Sequence, residues 1–383
     1  MSSSLPPIDE SGTAVPDASD TAKQEDSSFG PKSRDPFADP NLRGPGLWRM
    51  LQESFGGRRR MLDVAQIEVS SFCPGSCSYC PHTTMREQWK ARHMTAETFV
   101  SLWPLLLETR RVHLQGWGDP LLHPRFFDMA ALARRADCLV STTSCGLRMD
   151  DDLAAKIVGS GIDVMAFSLT GASRASNDAA RKGIEFARVL DSVRLLQRVR
   201  KARMGVHLEI HFAYLMLASA VEEVLLLPEL MHDLGVHAAV VSTLDYIPSP
   251  EWEKEAFMPH ETAKIAGARK LLEQAASRAR ALGLSLYYSL PVPEAGTTCL
   301  ENPQRSVYVD AEGSLSPCIY VNLPVVDAEP LRRVFGSSRK DDPIAVWKNK
   351  NFEEFRKALA SGEPDAPCVG CPKRFALGNR DGS

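Results

Sequence analysis

With 383 residues, 24% of them charged and 44% hydrophobic, the chain is long enough for two domains and a substantial core. A formal net charge of −3 carries no global basic bias, which argues against nucleic acid or an anionic membrane surface as a partner. No apolar run approaches the ~20 residues that span a bilayer, and Met1–Glu10 lacks the basic segment and apolar stretch of a secretion signal. Nine cysteines in such a chain read as thiols or metal ligands rather than a disulfide framework, so a soluble cytoplasmic protein is expected.

Residues 1–45 are rich in Ser, Asp, Pro and Gly and nearly free of aromatics, which predicts a disordered tail. From about residue 62, short aliphatic runs alternate with longer amphipathic segments. Strands are expected at Val64–Val69, Arg111–Gln115, Leu139–Thr143, Asp163–Leu169, Val206–Leu215 and Ala238–Thr243. Helices are expected from Thr95, a plausible N-cap, to Leu107, and over Phe126–Arg135, Asp151–Ser160, Phe186–Lys201 and Val221–Leu234. This alternation predicts parallel βαβ units. Without a dinucleotide-type glycine loop, six such units suit an α/β partial barrel over residues 46–250. A helical linker and last barrel elements follow over 251–290, and a small α+β domain over 291–383. Active-site residues would then fall at the C-terminal ends of the strands, by analogy with complete barrels.

The run Cys73-Pro-Gly-Ser-Cys77-Ser-Tyr-Cys80 follows the first expected strand. Its C-x3-C-x2-C spacing supplies three thiolates where an iron–sulfur cube has four irons, leaving one coordination site open. Zinc with His82 as a fourth ligand, a disulfide or plain packing are the competing readings. The spacing, with Tyr79 just before the last cysteine, resembles that of the radical S-adenosylmethionine (radical SAM) superfamily. The resemblance implies a partial (β/α)6 radical SAM barrel and a 4Fe-4S cluster on Cys73, Cys77 and Cys80. The amino and carboxylate groups of SAM would chelate the open iron, and one-electron reduction would release a 5′-deoxyadenosyl radical.

Three later stretches match the same core in order. Gly116-Trp117-Gly118-Asp119-Pro120 resembles the family's Gly-Gly-Glu-Pro motif, whose backbone carbonyls receive the amino group of SAM, although Trp117 and Asp119 depart from it. Thr142-Thr-Ser144-Cys145-Gly-Leu147 resembles the Thr-Asn-Gly stretch near the SAM ribose, with Cys145 in the asparagine position. Phe167-Ser168-Leu-Thr-Gly171 resembles the Ser-Leu-Asp-Gly segment whose serine contacts SAM. Arg181-Lys-Gly-Ile-Glu-Phe186 echoes Arg-x-Gly-x-x-Phe and makes Arg181 a candidate for the SAM carboxylate. Each stretch alone reads equally as an ordinary turn, helix start or packing position.

Beyond a long helix expected over Glu261–Leu282 and ending at Gly283, four cysteines follow: Cys299, Cys318, Cys368 and Cys371. Val307–Val309, the turn Asp310–Gly313 and Ser314–Cys318 read as a hairpin, and Trp347–Arg356 as an amphipathic helix. The set resembles the SPASM/Twitch auxiliary-cluster domain of radical SAM enzymes. One auxiliary 4Fe-4S cluster is implied, because no cysteine follows Cys371. A structural zinc site or a thiol redox pair would use the same residues. Four thiolates saturate a cube, so the resemblance implies an electron relay and oxidative chemistry on a small molecule or peptide, with a flavodoxin- or ferredoxin-type reductant. Maturation of a partner enzyme or metal cofactor is the alternative, and a metal-holding scaffold a third. If a base is needed, His113, Glu209, His211 and Asp245 are eligible by position.

Overall fold

The computed structural model describes residues 35–46, 59–294, 296, 299–324 and 332–378. Seven parallel strands lie side by side in chain order: β1 (Leu62–Ile67), β3 (Thr109–Leu114), β4 (Leu139–Ser144), β5 (Val164–Thr170), β7 (Glu209–Met216), β8 (Ala238–Thr243) and β9 (Ser285–Pro291). Two two-residue strands, β2 (Ser76–Cys77) and β6 (Arg181–Lys182), pair with each other away from this sheet.

The residue-by-residue alternation of the strands decides what each sheet face carries. Ala65, Ile67, Val112, Leu114, Val140, Met165, Phe167, Ile210, Phe212, Ala239 and Leu286 are buried under the surrounding helices and form the main core. The opposite row is polar or small. Gln66 pairs with His113, His113 with Ser141, Ser141 with Val164, and Val164 with Glu209. A half-polar inner face leaves a lumen instead of a second packed core.

All six expected strands are present within a few residues. The seventh, β9, extends the expected six-unit barrel: the helix Thr262–Ala281 is the crossover from β8 to β9, not a linker. Two expected helices divide at prolines, which have no N–H to continue a ladder. Thr95 caps Ala96–Ser101 through Thr98 N, and Pro104 opens the separate helix Trp103–Leu107. Val221–Leu234 becomes the 3-10 stretch Ala218–Leu226 followed by Leu227–Leu234, with Pro228 in its first turn. Asn349 likewise caps Lys350–Ser361, so the expected helix from Trp347 starts later.

The expected tail lies outside the described residues up to residue 34 and gives way at Asp35. Phe37 is buried against Phe99, ring centroids 6.3 Å apart, with the Arg125 guanidinium 4.6 Å over its ring. Asp35 pairs with Arg125 at 2.9 Å. One aromatic and one ion pair supply the anchorage that the composition of the segment conceals.

The C-terminal region adds strands to both edges of the barrel sheet. On one side β10 (Ser306–Val309) runs parallel to β1, followed by β11 (Ser314–Ser316) and β12 (Gly336–Ser337), both antiparallel to their neighbours. On the other, β13 (Ala376–Gly378) pairs antiparallel with β9. The expected α+β domain is therefore continuous with the barrel.

Candidate metal centres and cofactor pocket

β1 leads through Glu68–Phe72 into the three-cysteine loop, and the loop is held from three sides. Cys77 pairs with Arg181 across the β2–β6 ladder, and Ser78 N donates to Ala180 O at 3.1 Å. Cys80 caps the short helix Pro81–Thr84, its carbonyl accepting from Thr83 and Thr84. Gly75 admits no side chain, because a Cβ there would stand 2.4 Å from Ile184 Cδ1.

Burial pushes the Cys73 thiol up to about 11, with the charges of Asp119 and Cys77 adding to it. Cys80 rises to about 12, by burial and then by the charges of Cys77 and Cys73. Charge on neighbouring sulfurs thus penalises the ionisation of Cys73 and Cys80, and a bound metal centre reverses that penalty. Among the described residues no three His, Cys, Asp or Glu side chains close around a single ion-sized point. His82, the alternative fourth ligand for zinc, instead packs edge-on against Trp89 at 5.4 Å.

Arg181 is 3% exposed and lies against this loop. Its guanidinium donates to Ser168 Oγ at 2.8 Å and to the Ser168 carbonyl, while the charges of Tyr79, Cys77 and Cys145 favour its protonated form. Its Nε–H is buried without a partner. A buried guanidinium with an unused donor beside three thiols fits a carboxylate ligand at the open position of a cluster. Tyr79 donates to or accepts from Thr170 Oγ1 at 2.8 Å, at the end of β5, and its ring meets Trp252 edge-on.

The Gly116–Pro120 stretch is fitted to the base of the same loop. A Cβ on Gly118 would lie 2.4 Å from the carbonyl oxygen of Ser70 and 2.6 Å from that of Phe72, and one on Gly116 would strike the Glu68 side chain. Asp119 N donates to Phe72 O at 2.7 Å. The Asp119 carboxylate, 5% exposed, accepts from Leu121 N, Cys145 N and Ser144 Oγ at 3.0, 2.9 and 2.8 Å. Ser144 Oγ also accepts from Gly146 N. The backbone and carboxylate of Asp119, with the Ser144 hydroxyl, therefore tie together the exits of β1, β3 and β4. Cys145 is buried, and burial, reinforced by the Asp119 charge, holds its thiol protonated. Trp117 N donates to Glu68 Oε1 at 2.7 Å, and its ring meets Tyr320 of the C-terminal region edge-on at 5.7 Å.

The lumen is a cavity of about 1010 Å³ walled by the inner row of β3, β4, β5 and β7 and by Val240 and Tyr287. His113 Nδ1 lies 2.8 Å from Ser141 Oγ and Nε2 lies 3.1 Å from Gln115 Oε1. Burial lowers its pKa to about 4, so it presents a neutral imidazole near pH 7. Glu209 and His211, 2.7 Å apart, stand nearer the N-terminal mouth, where Leu139, Val240 and Tyr287 are two-fifths to one-half exposed. Three of the four base candidates thus line the lumen. Asp245 does not, because its carboxylate is paired with Lys373 at 2.8 Å.

Cys299, Cys318, Cys368 and Cys371 all line one cavity of about 230 Å³, with apolar walls that include Pro303, Pro317, Val321, Leu323 and Phe355. Burial raises Cys299 to about 12 and Cys368 to about 11, with the charge of Cys371 adding to both. Cys318 is also held well above the usual thiol value, by burial and then the charge of Glu301. Four thiols around a dry pocket are a donor set for a fully ligated iron–sulfur cube. Sequence reasoning missed the buried Glu68 and the half-buried Tyr320 and Lys373. Only Lys373, two residues past a ligand cysteine, carried a local signal.

A parallel partial barrel with three cysteines at the exit of its first strand, and four more around a second cavity, defines an iron–sulfur protein with two cysteine-bound centres. Family models agree: that of the radical SAM superfamily matches residues 67–212, and that of the SPASM iron–sulfur cluster-binding domain matches residues 299–372. The chain carries a radical SAM domain followed by a C-terminal SPASM domain, which imply SAM and iron–sulfur clusters as its cofactors. It is 23% identical over 307 residues to the tungsten-containing aldehyde ferredoxin oxidoreductase cofactor-modifying protein of Pyrococcus furiosus, covering 76% of this chain and 82% of that one. The fold resembles anSMEcpe with bound AdoMet (TM-score 0.58, 16% identity, 78% of this chain and 84% of that). It also resembles Streptococcus suis SuiB bound to S-adenosylmethionine (TM-score 0.59, 12% identity, 84% and 73%). Among the described residues no helix is long and apolar enough to cross a membrane.

Proposed function

We propose that the chain oxidises a C–H bond of a peptide or small molecule held in the barrel lumen. One observation carries the reading. Ser168 lines the lumen cavity and also accepts from Arg181, which pairs across from Cys77, so substrate space and cluster loop meet at one residue. A four-iron cluster on Cys73, Cys77 and Cys80 would supply the electron that splits SAM into methionine and a 5′-deoxyadenosyl radical. Arg181 and Ser168 then receive the SAM carboxylate, and the backbone of Gly116–Gly118 its amino group.

In the net reaction the substrate gives a hydrogen atom to the deoxyadenosyl group, forming 5′-deoxyadenosine. The substrate radical would then lose one electron, which an auxiliary cluster held by Cys299, Cys318, Cys368 and Cys371 could take up, and one proton to a base. His113, neutral and hydrogen-bonded to Ser141 and Gln115, orients a polar substrate group from the wall. Glu209 and His211, which also line the lumen, are candidate proton acceptors. A flavodoxin- or ferredoxin-type protein is the proposed reductant.

A second reading is favoured by the Pyrococcus furiosus relative, whose name describes modification of a cofactor of a partner enzyme. On that reading the lumen receives an organic part of a metal cofactor, and the partially exposed Leu139, Val240 and Tyr287 form the contact with its carrier.

The test is anaerobic iron and sulfide content with SAM cleavage under dithionite, wild type against a Cys73/Cys77/Cys80→Ala variant. About eight irons falling to about four, with loss of 5′-deoxyadenosine, supports the assignment. Retained cleavage in the variant overturns it. Specific co-purification of a metalloenzyme selects the second reading over the first.

A further inference from the structure

A trio of charges beside the auxiliary cysteines has no part in the chemistry above. The Lys373 ammonium lies 2.8 Å from Asp245 Oδ2 and 3.3 Å from Glu301 Oε1, with the Tyr320 ring centroid 5.8 Å away. The side chains of Lys373, Asp245 and Glu301 are 13%, 7% and 25% exposed. Lys373, Glu301 and Tyr320 line the cavity walled by Cys299, Cys318, Cys368 and Cys371. Lys373 and Glu301 each follow a ligand cysteine by two residues, so both belong to the cluster-binding loops. Asp245 does not: it comes from the barrel, two residues beyond the end of β8.

Burying three charges carries a desolvation cost that packing alone does not require. What the arrangement provides is one ammonium and two carboxylates fixed beside a mostly apolar cavity, where fields are weakly screened. A cluster becomes more negative on reduction, so a nearby cation favours the reduced form and a nearby anion the oxidised one. Net charge around a cluster is one of the levers on its potential.

We propose that Asp245 tunes the auxiliary centre. Its carboxylate offsets the charge of the Lys373 ammonium on the wall of the cysteine cavity, so that a barrel side chain helps to set the reduction potential of the cluster in the C-terminal domain. The inference rests on that cavity holding an iron–sulfur cluster.

The experiment uses the full chain in the Cys73/Cys77/Cys80→Ala background, where only the auxiliary centre contributes a signal. Iron and sulfide are counted first, and the midpoint potential is then measured by anaerobic spectroelectrochemical titration. Asp245→Asn raises the midpoint and Lys373→Met lowers it, while the Asp245→Asn/Lys373→Met double variant returns towards the parent. Lys373→Arg, which keeps the charge, stays near the parent. Glu301→Gln shifts it upward by less than Asp245→Asn, in keeping with its longer contact and greater exposure, and serves if Asp245→Asn fails to load. Unmoved midpoints in iron-replete single variants, or shifts of the opposite sign, overturn the inference. Zinc or no metal in the parent overturns the cluster reading itself, a result the metal count separates from the first.

Discussion

Asp119 stands in a stretch that resembles a family motif, and the structure gives its side chain a structural role as well. Motif comparison places it at the SAM site. The folded chain gives its carboxylate three protein donors, Leu121 N, Cys145 N and Ser144 Oγ. Asp119→Ala leaves those donors unsatisfied in a buried setting, with an expected destabilisation of about 3 kcal/mol, read as a lower denaturant midpoint. Glu68 makes a pH-dependent prediction. Burial raises its carboxyl from the usual 4.5 to about 7, against the lowering effect of the Trp117 and Ala311 amides. The folded state therefore keeps a proton that the unfolded chain has already released. Stability that is fully present below pH 4.5 is lost as pH rises through 7. Between pH 6 and 8 the loss should be about 1.4 kcal/mol, one pKa unit's worth, and Glu68→Gln should flatten that part of the profile. Denaturation midpoints across this range, variant against wild type, decide it. A wild-type slope that survives in Glu68→Gln belongs to other groups.

At the scale of elements, the three-cysteine loop depends on the strand exit beside it. Gly118 packs on the backbone of Ser70–Phe72 with no room for a methyl group, and backbone cannot rotate aside as a flexible side chain does. Gly118→Ala should therefore cost the protein its first cluster while sparing the second. Iron should fall from about eight to about four per chain, with SAM cleavage lost and the far-UV spectrum kept. The cysteines themselves were legible in the sequence because a cluster loop is a local object whose spacing survives without tertiary structure. The six strands were legible as short aliphatic runs set between longer amphipathic segments. The breaks at Pro104 and Pro228 were visible too, but apolar periodicity running through them outweighed the prolines. β9 was legible only as part of the last barrel elements expected over 251–290, because the long helix Thr262–Ala281 reads as a linker until its crossover partner is seen. Contacts such as Asp245 with Lys373 had no signal at all, since nothing local pairs residues that far apart. The same holds for Asp119 with Ser144, whose meeting depends on the β3–β4 register.

Considered whole, the molecule resists division into a barrel and an appended domain. An open parallel sheet has two edges, each with unpaired N–H and C=O groups that template aggregation unless covered. Here β10 covers β1, through Val64 with Ser306 to Ile67 with Val309, and β13 covers β9, through Ala376 with Pro291. Two further ties cross the same boundary: Arg305 bonds both Asp63 oxygens, at 2.7 and 2.9 Å, and the Trp117 ring meets Tyr320. A chain ending at residue 292 would keep every strand of the barrel yet expose both edges and strip the Trp117 and Asp63 contacts. The expected outcome is an aggregating product, not an isolated barrel with one cluster. Light scattering of the anaerobically purified truncation, with iron counted in any monomeric fraction, checks this. A stable monomer holding about four irons would mean that the edges are protected without the C-terminal strands. The auxiliary domain would then be a detachable module whose contact with the barrel serves electron transfer alone. Aggregation would mean that the segment carrying the second cluster is also what completes the sheet that carries the first.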